Sequence, residues 1–295
     1  MTQAMIDRVQ NTQPKKKSEF VRIIKQLSYN RGAMIGLIIF LLEIVIVLLA
    51  PVIAPYDYTA MDPTAIRQSP SMLHICGTDE LGRDIFSRIL YGGRYSITMG
   101  VFSVSIAVVF SSIIGSAAGY FGGRVDNIIM RILDVVQSLP GMLLTIVLSA
   151  VLGAGYFNTI LALSVNCIPG QARMLRAQMM KNRNAEYVEA ARSINCSKTR
   201  IIASHLFPNS FSPLIVQMTM GVANMILMAS SLSFIGLGVQ PPAPEWGAML
   251  AGAREFFRNS PHMVIFPGLA IAITILALNL LGDGLRDALD PKLKK

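Results

Sequence analysis

Charged residues are scarce in this 295-residue sequence, where Asp, Glu, Lys and Arg together make up 15% of the chain. An average soluble domain has roughly 25%. Long stretches contain none of these four residues, among them 135–172, 201–244 and 259–282. About 20 apolar residues are enough for one helix to cross the hydrocarbon layer of a bilayer. The shortage of charge therefore argues against an ordinary soluble fold and predicts an all-α, polytopic membrane protein.

Cysteine and histidine are also rare, with three of each. The odd number and wide separation of Cys76, Cys167 and Cys196 argue against a disulfide framework and a metal cluster. No His-Glu-x-x-His or Gly-x-Ser-x-Gly sequence occurs, which disfavours an intramembrane enzyme. The phosphate loop Gly-x-x-x-x-Gly-Lys-Ser/Thr is absent as well. The sequence thus predicts no catalytic residue, no metal site and no cofactor bound by this chain.

The apolar runs predict six transmembrane helices. Two of them share the uncharged run 135–172, where the segment from Gly153 to Asn158 would form the turn of a helical hairpin. The other four are predicted at about Gly32–Ala50, Ser96–Gly119, Pro213–Gly236 and Val264–Leu281. An ion-driven secondary transporter is a rival class, but its inverted repeats with interrupted helices are not apparent.

The basic residues predict the orientation, because cytoplasmic segments carry an excess of Lys and Arg. With the amino terminus inside, 20 of the 26 Lys and Arg residues lie on the inner side and 6 on the outer side. Both termini are therefore predicted to be cytoplasmic. The net charge of +9 does not indicate nucleic-acid binding, since these residues fall between apolar runs without an aromatic-studded basic surface.

These signals divide the chain into five parts. A cytoplasmic tail (1–31) precedes the first transmembrane helix (32–54), an extracellular or periplasmic loop with an interfacial helix (55–94), a core domain (95–285) and a cytoplasmic carboxyl terminus (286–295). Within the loop, Ile85, Phe86, Ile89 and Leu90 form an amphipathic strip. We expect this strip to lie in the membrane interface, with a gate as the alternative.

The cytoplasmic segment 184–209 of the core domain predicts two helices joined by a sharp turn. Tyr187, Ala191 and Ile194 recur at helical spacing and form a narrow apolar stripe. Asn195 tolerates the left-handed conformation that ends a helix, and Ser197 can cap the next one. Such an exposed unit is suited to docking on another protein, although a plain basic connector is the simpler alternative.

This segment resembles the loop that couples permeases of ATP-binding-cassette (ABC) importers to their ATPases. The family pattern is Glu-Ala-Ala, three residues, Gly, nine residues, then Ile-x-Leu-Pro. The chain has Glu189-Ala190-Ala191 and Pro208 at that spacing, with Asn195, His205 and Phe207 where the family has Gly, Ile and Leu. The resemblance implies a coupling site made of Glu186, Glu189, Ala190, Ala191, Arg192, Asn195, Ser197 and Pro208.

Three further stretches are similar to the peptide-permease branch of this family, in its C-type subunit. They are Gly-Thr-Asp-Glu-Leu-Gly-Arg-Asp-Ile-Phe-Ser-Arg at 77–88, Leu-Ser-Phe-Ile-Gly-Leu-Gly-Val-Gln-Pro-Pro-Ala-Pro-Glu-Trp-Gly-Ala-Met-Leu at 232–250, and Leu-Gly-Asp-Gly-Leu-Arg-Asp-Ala-Leu-Asp-Pro-Lys at 281–292. With the loop, they cover most of the chain from residue 77 onwards. The stretch from Gln240 to Trp246 has two interpretations of equal weight, a loop anchored at headgroup level by Trp246 and a contact with an external binding protein.

The resemblance implies a type I ABC importer permease in the bacterial cell (inner) membrane. Its expected partners are a homologous second permease, two ABC ATPase subunits that bind ATP and Mg, an extracellular or periplasmic solute-binding protein, and membrane lipid. Peptides of the dipeptide and oligopeptide class are the expected cargo. Nickel chelates, glutathione and haem are alternatives within the same machinery.

Polar residues inside the predicted helices are candidates for a solute path. Glu43 lies in the middle of the first helix, where a charge is costly, so we expect it to find a structural partner. Four amides could line a path or join neighbouring helices by hydrogen bonds: Asn166, Gln217, Asn224 and Asn279.

Overall fold

The computed structural model describes residues 26–289, and the predicted cytoplasmic tail and carboxyl terminus lie mostly outside this range. Within it the chain is helical, and its one strand-like pairing is an isolated bridge between Thr78 and Asp84. The main helices are α1 (Arg31–Leu48), α2 (Ala50–Ile53), α3 (Ile85–Phe121), α4 (Gly123–Val136), α5 (Gly141–Leu152) and α6 (Tyr156–Asn182). They continue as α7 (Glu186–Ser193), α8 (Lys198–Arg200), α9 (Phe207–Ser210), α10 (Ser212–Phe234), α11 (Trp246–Ala253) and α12 (His262–Leu289). The all-α prediction is confirmed.

Four helices are long and apolar enough to cross a bilayer: α1, α3, α10 and α12. The pair α4 and α5 supplies a fifth crossing if it is counted as one broken helix, because the two are bent by 80° at residues 137–140. Helix α6 is long enough, at 27 residues, but polar residues such as Asn166 and Gln171 lower its hydropathy. The multi-pass architecture is clear, and the count of six crossings stays a prediction.

The predicted hairpin in 135–172 is present, with its turn at residues 153–155. Its first arm is shorter than expected, because α5 has only 12 residues. At 1.5 Å per residue this is about 18 Å of helix, well short of a bilayer core.

The centre of the molecule is the packing of α3 against α6 and α10. Their buried side chains include Val104, Leu163 and Leu232. Small residues allow α3 and α6 to approach closely, since a Cβ at Gly115 would lie 2.7 Å from the carbonyl oxygen of Ala172. Gly119 follows four residues later on the same side, as in other close helix pairs in membranes. Helix α1 packs mainly along α12 at the periphery.

The separate interfacial helix predicted within 55–94 is not observed. Residues 85–94 are instead the first turns of α3, which the side chain of Asp84 begins by accepting a hydrogen bond from the backbone N–H of Ser87 at 2.7 Å. Ile85 is buried against Cys76, Ala253 and Met263. The apolar strip therefore covers neighbouring protein, which a hydropathy pattern cannot distinguish from a membrane surface.

Candidate functional site: an exposed helix-turn-helix and the cavity behind it

The predicted helix-turn-helix is present at residues 186–210. Helix α7 ends in a left-handed turn at Asn195, whose φ is 58°. The backbone N–H of Cys196 donates to Ala191 and that of Asn195 to Arg192, at 3.0 and 2.9 Å, which together satisfy the free carbonyls of the helix end. The Ser197 hydroxyl then caps α8 by accepting from the backbone N–H of Arg200 at 3.4 Å. Both turn residues singled out from the sequence lie where predicted.

The buried side of α7 differs from the predicted stripe. Val188 and Ala191 are buried against Leu175 and Met179 of α6, whereas Tyr187 is 40% exposed and Ile194 is 77% exposed. The helix ends at Ser193, so Ile194 lies beyond its last regular turn. The prediction was right for Ala191 and wrong for the other two, which leaves an aromatic and an aliphatic side chain on the open surface.

The other predicted coupling residues also face outwards. Glu186, Glu189, Ala190 and Arg192 are exposed along α7. Both carboxylates lie in the first turn of the helix and Arg192 in the last, an arrangement that the helix dipole favours. Pro208 is exposed in the first turn of α9. The segment thus presents a compact charged surface with two apolar side chains at its edge.

A rigid connection joins this surface to the membrane helices. After α8 the chain forms a π-helix from Ile201 to Leu206, then α9, and then α10 with only Phe211 between them. The side-chain amide of Asn182, at the end of α6, donates to the carbonyl of Asn209 at 3.2 Å and to the Ser210 hydroxyl at 3.0 Å. A displacement of α7 would therefore be transmitted to both α6 and α10.

The π-helix was not predicted from the sequence. Pro208 could have indicated it, because proline has no N–H to donate back along the helix and a changed hydrogen-bond register nearby is a common result. The side chain of Asn209, the residue after this proline, donates to the carbonyl of His205 at 2.6 Å.

A cavity of about 540 Å³ opens beside α10. Gln217 and Asn224 line it together with Cys167 and Met174 of α6 and Arg286 of α12. The side-chain oxygen of Gln217 is buried and has no hydrogen-bond partner among the described residues. Buried polar groups normally have a hydrogen-bond partner, and a water molecule or a solute in the cavity would supply the one that Gln217 lacks.

The other two predicted path residues lie elsewhere. The Asn166 amide nitrogen lies 3.6 Å from the sulfur of Met228, and its oxygen lies close to Gly141. Asn279 does not line the cavity. Glu43 lies near Thr274 of α12, but the Thr274 hydroxyl donates to the carbonyl of Ala270, and one carboxylate oxygen of Glu43 is buried with no hydrogen-bond partner among the described residues.

The end of the molecule that is predicted to lie outside the cell contains a dense network of charged side chains. The Nε atom of Arg83 lies 2.6 Å from an Asp79 carboxylate oxygen, and that of Arg88 lies 3.4 Å from the same oxygen. His74 contacts Asp84 at 2.9 Å. Burial and the nearby Asp84 carboxylate raise the pKa of the Cys76 thiol to about 11, so this cysteine stays protonated. The loop is thereby tied to the start of α3.

Helix α11 is fixed to the same end by Glu245 and Trp246. The fully buried Glu245 carboxylate accepts from the backbone N–H groups of Gly247 and Ala248 and from the Ser96 hydroxyl, at 2.8–3.0 Å. Burial raises the pKa of this carboxyl, although the hydrogen bonds oppose the effect. Trp246 is buried and donates its ring N–H to the carbonyl of Ile89 at 3.0 Å. It is therefore not the headgroup-level anchor that one interpretation of the sequence required.

The fold and the exposed helix-turn-helix define a class, that of multi-pass helical membrane proteins. A solved structure described as inward-facing conformations of the MetNI methionine ABC transporter has a similar chain, with a TM-score of 0.55. The similarity covers 68% of this chain and 96% of that one at 17% identity, so it shows the fold alone.

Sequence comparison gives the family. The model for the inner membrane component of binding-protein-dependent transport systems matches residues 107–295, and the model for the N-terminal transmembrane domain of oligopeptide transport permease C matches residues 18–70. The chain belongs to this family of ABC importer permease subunits. The second match covers the end of the tail, the first transmembrane helix and the first part of the loop, so it reaches regions for which the sequence motifs gave no assignment.

Curated relatives include two kinds of permease. A dipeptide transport system permease protein DppC from Alkalihalophilus pseudofirmus is 43% identical, over 92% of this chain and 89% of that protein. One from Haemophilus influenzae is 44% identical, over 90% and 92%. A glutathione transport system permease protein GsiD from Pectobacterium atrosepticum is 46% identical, over 88% and 86%.

Proposed function

We propose that this chain is one of two permease subunits of an ATP-driven, binding-protein-dependent importer of peptides. It adopts a type I importer fold with six crossings of the bacterial cell (inner) membrane and has both termini in the cytoplasm. Its partners are a homologous second permease, two ATPase subunits that bind ATP and Mg, and a solute-binding protein outside the membrane. The dipeptide permeases among its relatives support a peptide as cargo.

The observation that carries this proposal is the surface of residues 186–210. Glu186 and Glu189 are exposed on a helix whose opposite side is packed against α6, so the charges are held in place and are free to bind a partner. In the proposed mechanism, closure of the ATPase pair moves this surface, and α10 carries the movement to the cavity lined by Gln217 and Asn224. ATP can shift the balance between outward- and inward-facing states only through contacts that differ between them.

A charge reversal at the docking surface tests the coupling. We expect Glu189→Lys to abolish peptide uptake in proteoliposomes that contain the assembled importer, while the chain stays folded in the membrane and ATP hydrolysis no longer depends on transport. The matched control is Glu255→Lys, because Glu255 is also exposed but belongs to the segment between α11 and α12. Normal uptake by the Glu189→Lys variant would contradict docking at this surface.

Glutathione is the second candidate cargo, and the glutathione permeases among the relatives favour it. Both cargoes are peptide-like, and the two are separated by measuring uptake of a labelled dipeptide and of labelled glutathione in the same vesicles. The binding protein has to be present, because it selects the solute in the proposed assembly.

A further inference from the structure

Helix α4 has three distinct faces. One packs against the protein through Asp126 and Leu133, which are buried. The second is apolar and exposed, with Ile128, Ile132 and Val135 at 62%, 60% and 73% exposure. The third is polar and exposed, and consists of Arg124, Asn127, Arg131 and Asp134. An apolar and a polar face that are both open to the surroundings are typical of a helix lying in a membrane interface.

Two ion pairs hold α4 in this rotation. The Asp126 carboxylate is paired with Arg176 of α6, and the Asp134 carboxylate lies 2.7 Å from the Arg173 guanidinium. Because both partners are on α6, the apolar face has to point away from the protein.

The charge that remains on the polar face is positive. Both acidic residues of α4 are neutralised by arginines of α6, whereas Arg124 and Arg131 have no ion-pair partner in the described part of the chain. On the helix these two arginines lie beside the apolar face, where a long side chain can reach lipid headgroups.

The bend of 80° between α4 and α5 gives the orientation. If α5 enters the bilayer along its normal as part of the proposed third crossing, α4 has to run nearly parallel to the membrane plane. The exposed apolar face of α4 then continues into the exposed Met142, Leu143 and Val147 of α5. This step rests on the proposed function, because the crossing by α5 is part of the proposed topology.

We propose that α4 is an interfacial helix that lies on the cytoplasmic leaflet of an anionic bilayer. Val125, Ile128, Ile132 and Val135 enter the boundary between headgroups and acyl chains, and Arg124 and Arg131 contact anionic lipid phosphates. Such basic residues are attracted by the negative surface of the cytoplasmic leaflet. Since α4 is ion-paired to α6, it fixes the depth of the helix on which the docking surface is packed.

Spin labels on the two open faces test the position of α4. A nitroxide is attached to Ile132→Cys or Asn127→Cys in the assembled importer, in vesicles of phosphatidylcholine with phosphatidylglycerol, after the three native cysteines have been replaced. We expect the label at position 132 to collide several-fold more with oxygen than with a water-soluble nickel chelate, and the label at 127 to show the reverse. High nickel accessibility at both positions would place α4 in water and overturn the proposal.

Two other results would also overturn it. Low accessibility of position 132 to both reagents would mean that another protein covers the face, and oxygen accessibility at both positions would mean that the helix is immersed in lipid. A label at Val147→Cys in α5 shows whether such a result contradicts only the position of α4 or also the proposed topology. If position 147 is open to nickel, the crossing by α5 is wrong. If it is open only to oxygen, the failure is confined to α4.

The role of the arginines is tested with the same labels. In the labelled chain that keeps both arginines, we expect replacement of phosphatidylcholine by phosphatidylglycerol to lower nickel accessibility at position 132. The Arg124→Gln, Arg131→Gln double variant should lose this response and keep its uptake-competent fold. An unchanged response would contradict contact with anionic headgroups.

Discussion

The two ends of the molecule differ in the burial and pairing of their charged residues. At the end that contains residues 74–88, Asp79, Arg83 and Arg88 are buried and engage one another, and the nearby Glu245 carboxylate has several donors. At the end that contains α7, Glu186 and Glu189 are exposed and have no ion-pair partner within residues 26–289. The charges of the first end are thus largely paired within the chain, whereas those of α7 are free to meet another protein. Substitutions should therefore reduce stability at the first end and coupling at the second.

The largest loss of stability is expected at Asp79. Asp79→Ala leaves the guanidinium groups of Arg83 and Arg88 without their shared carboxylate. Removal of one partner of a buried ion pair costs about 3–5 kcal/mol. Thermal unfolding of the purified chain measures the effect, and Glu80→Ala is the matched control because Glu80 is more exposed and pairs only with Arg83 at 3.1 Å. Equal losses in the two variants would contradict the account of this network.

A loss of similar size is expected at Glu245. Glu245→Ala leaves the backbone N–H groups of Gly247 and Ala248 and the Ser96 hydroxyl without this acceptor. Each buried donor left unpaired costs on the order of 1–3 kcal/mol. Glu245→Gln keeps one acceptor oxygen and should therefore lose less. The reverse ranking in thermal unfolding would be evidence against a capping role.

The pH dependence of Glu245 has a definite sign. Because burial raises its folded-state pKa above the ordinary 4.5, its contribution to stability is fully present below that pH and is lost as pH rises through the raised value. We expect the unfolding temperature of the original chain to fall with rising pH in this window more steeply than that of Glu245→Gln. Parallel profiles would show that the carboxyl titrates normally.

The smallest change in stability is expected at the turn between α7 and α8. Asn195→Val places a β-branched side chain at a φ of 58° and should cost about 1–2 kcal/mol, whereas Asn195→Gly should be neutral or stabilising. Uptake should fall strongly in the valine variant alone, because the turn orients α7 towards its partner. Full uptake by Asn195→Val would separate the turn from coupling.

The features that sequence analysis predicted well have local causes. The uncharged runs located α10 and α12, because the preference of a segment for lipid follows from its own composition. Asn195 and Ser197 located the turn, because the end of one helix and the start of the next are set by residues at those positions. The features it missed depend on partners distant in sequence. Ile85 packs on Met263, which is far away in the sequence, and Asn166 does not line the cavity that Gln217 lines. Neither contact produces a periodic pattern of apolar or polar residues in the sequence.

The central claim is that residues 186–210 form a cytoplasmic surface that receives force from an ATPase. Photo-crosslinking groups at the exposed positions Tyr187 and Ile194 test it directly in the assembled importer. The account predicts a crosslinked product with the ATPase subunit at both positions, with a yield that changes when ATP is bound. Crosslinks to the external binding protein, or no product with the ATPase, would contradict it.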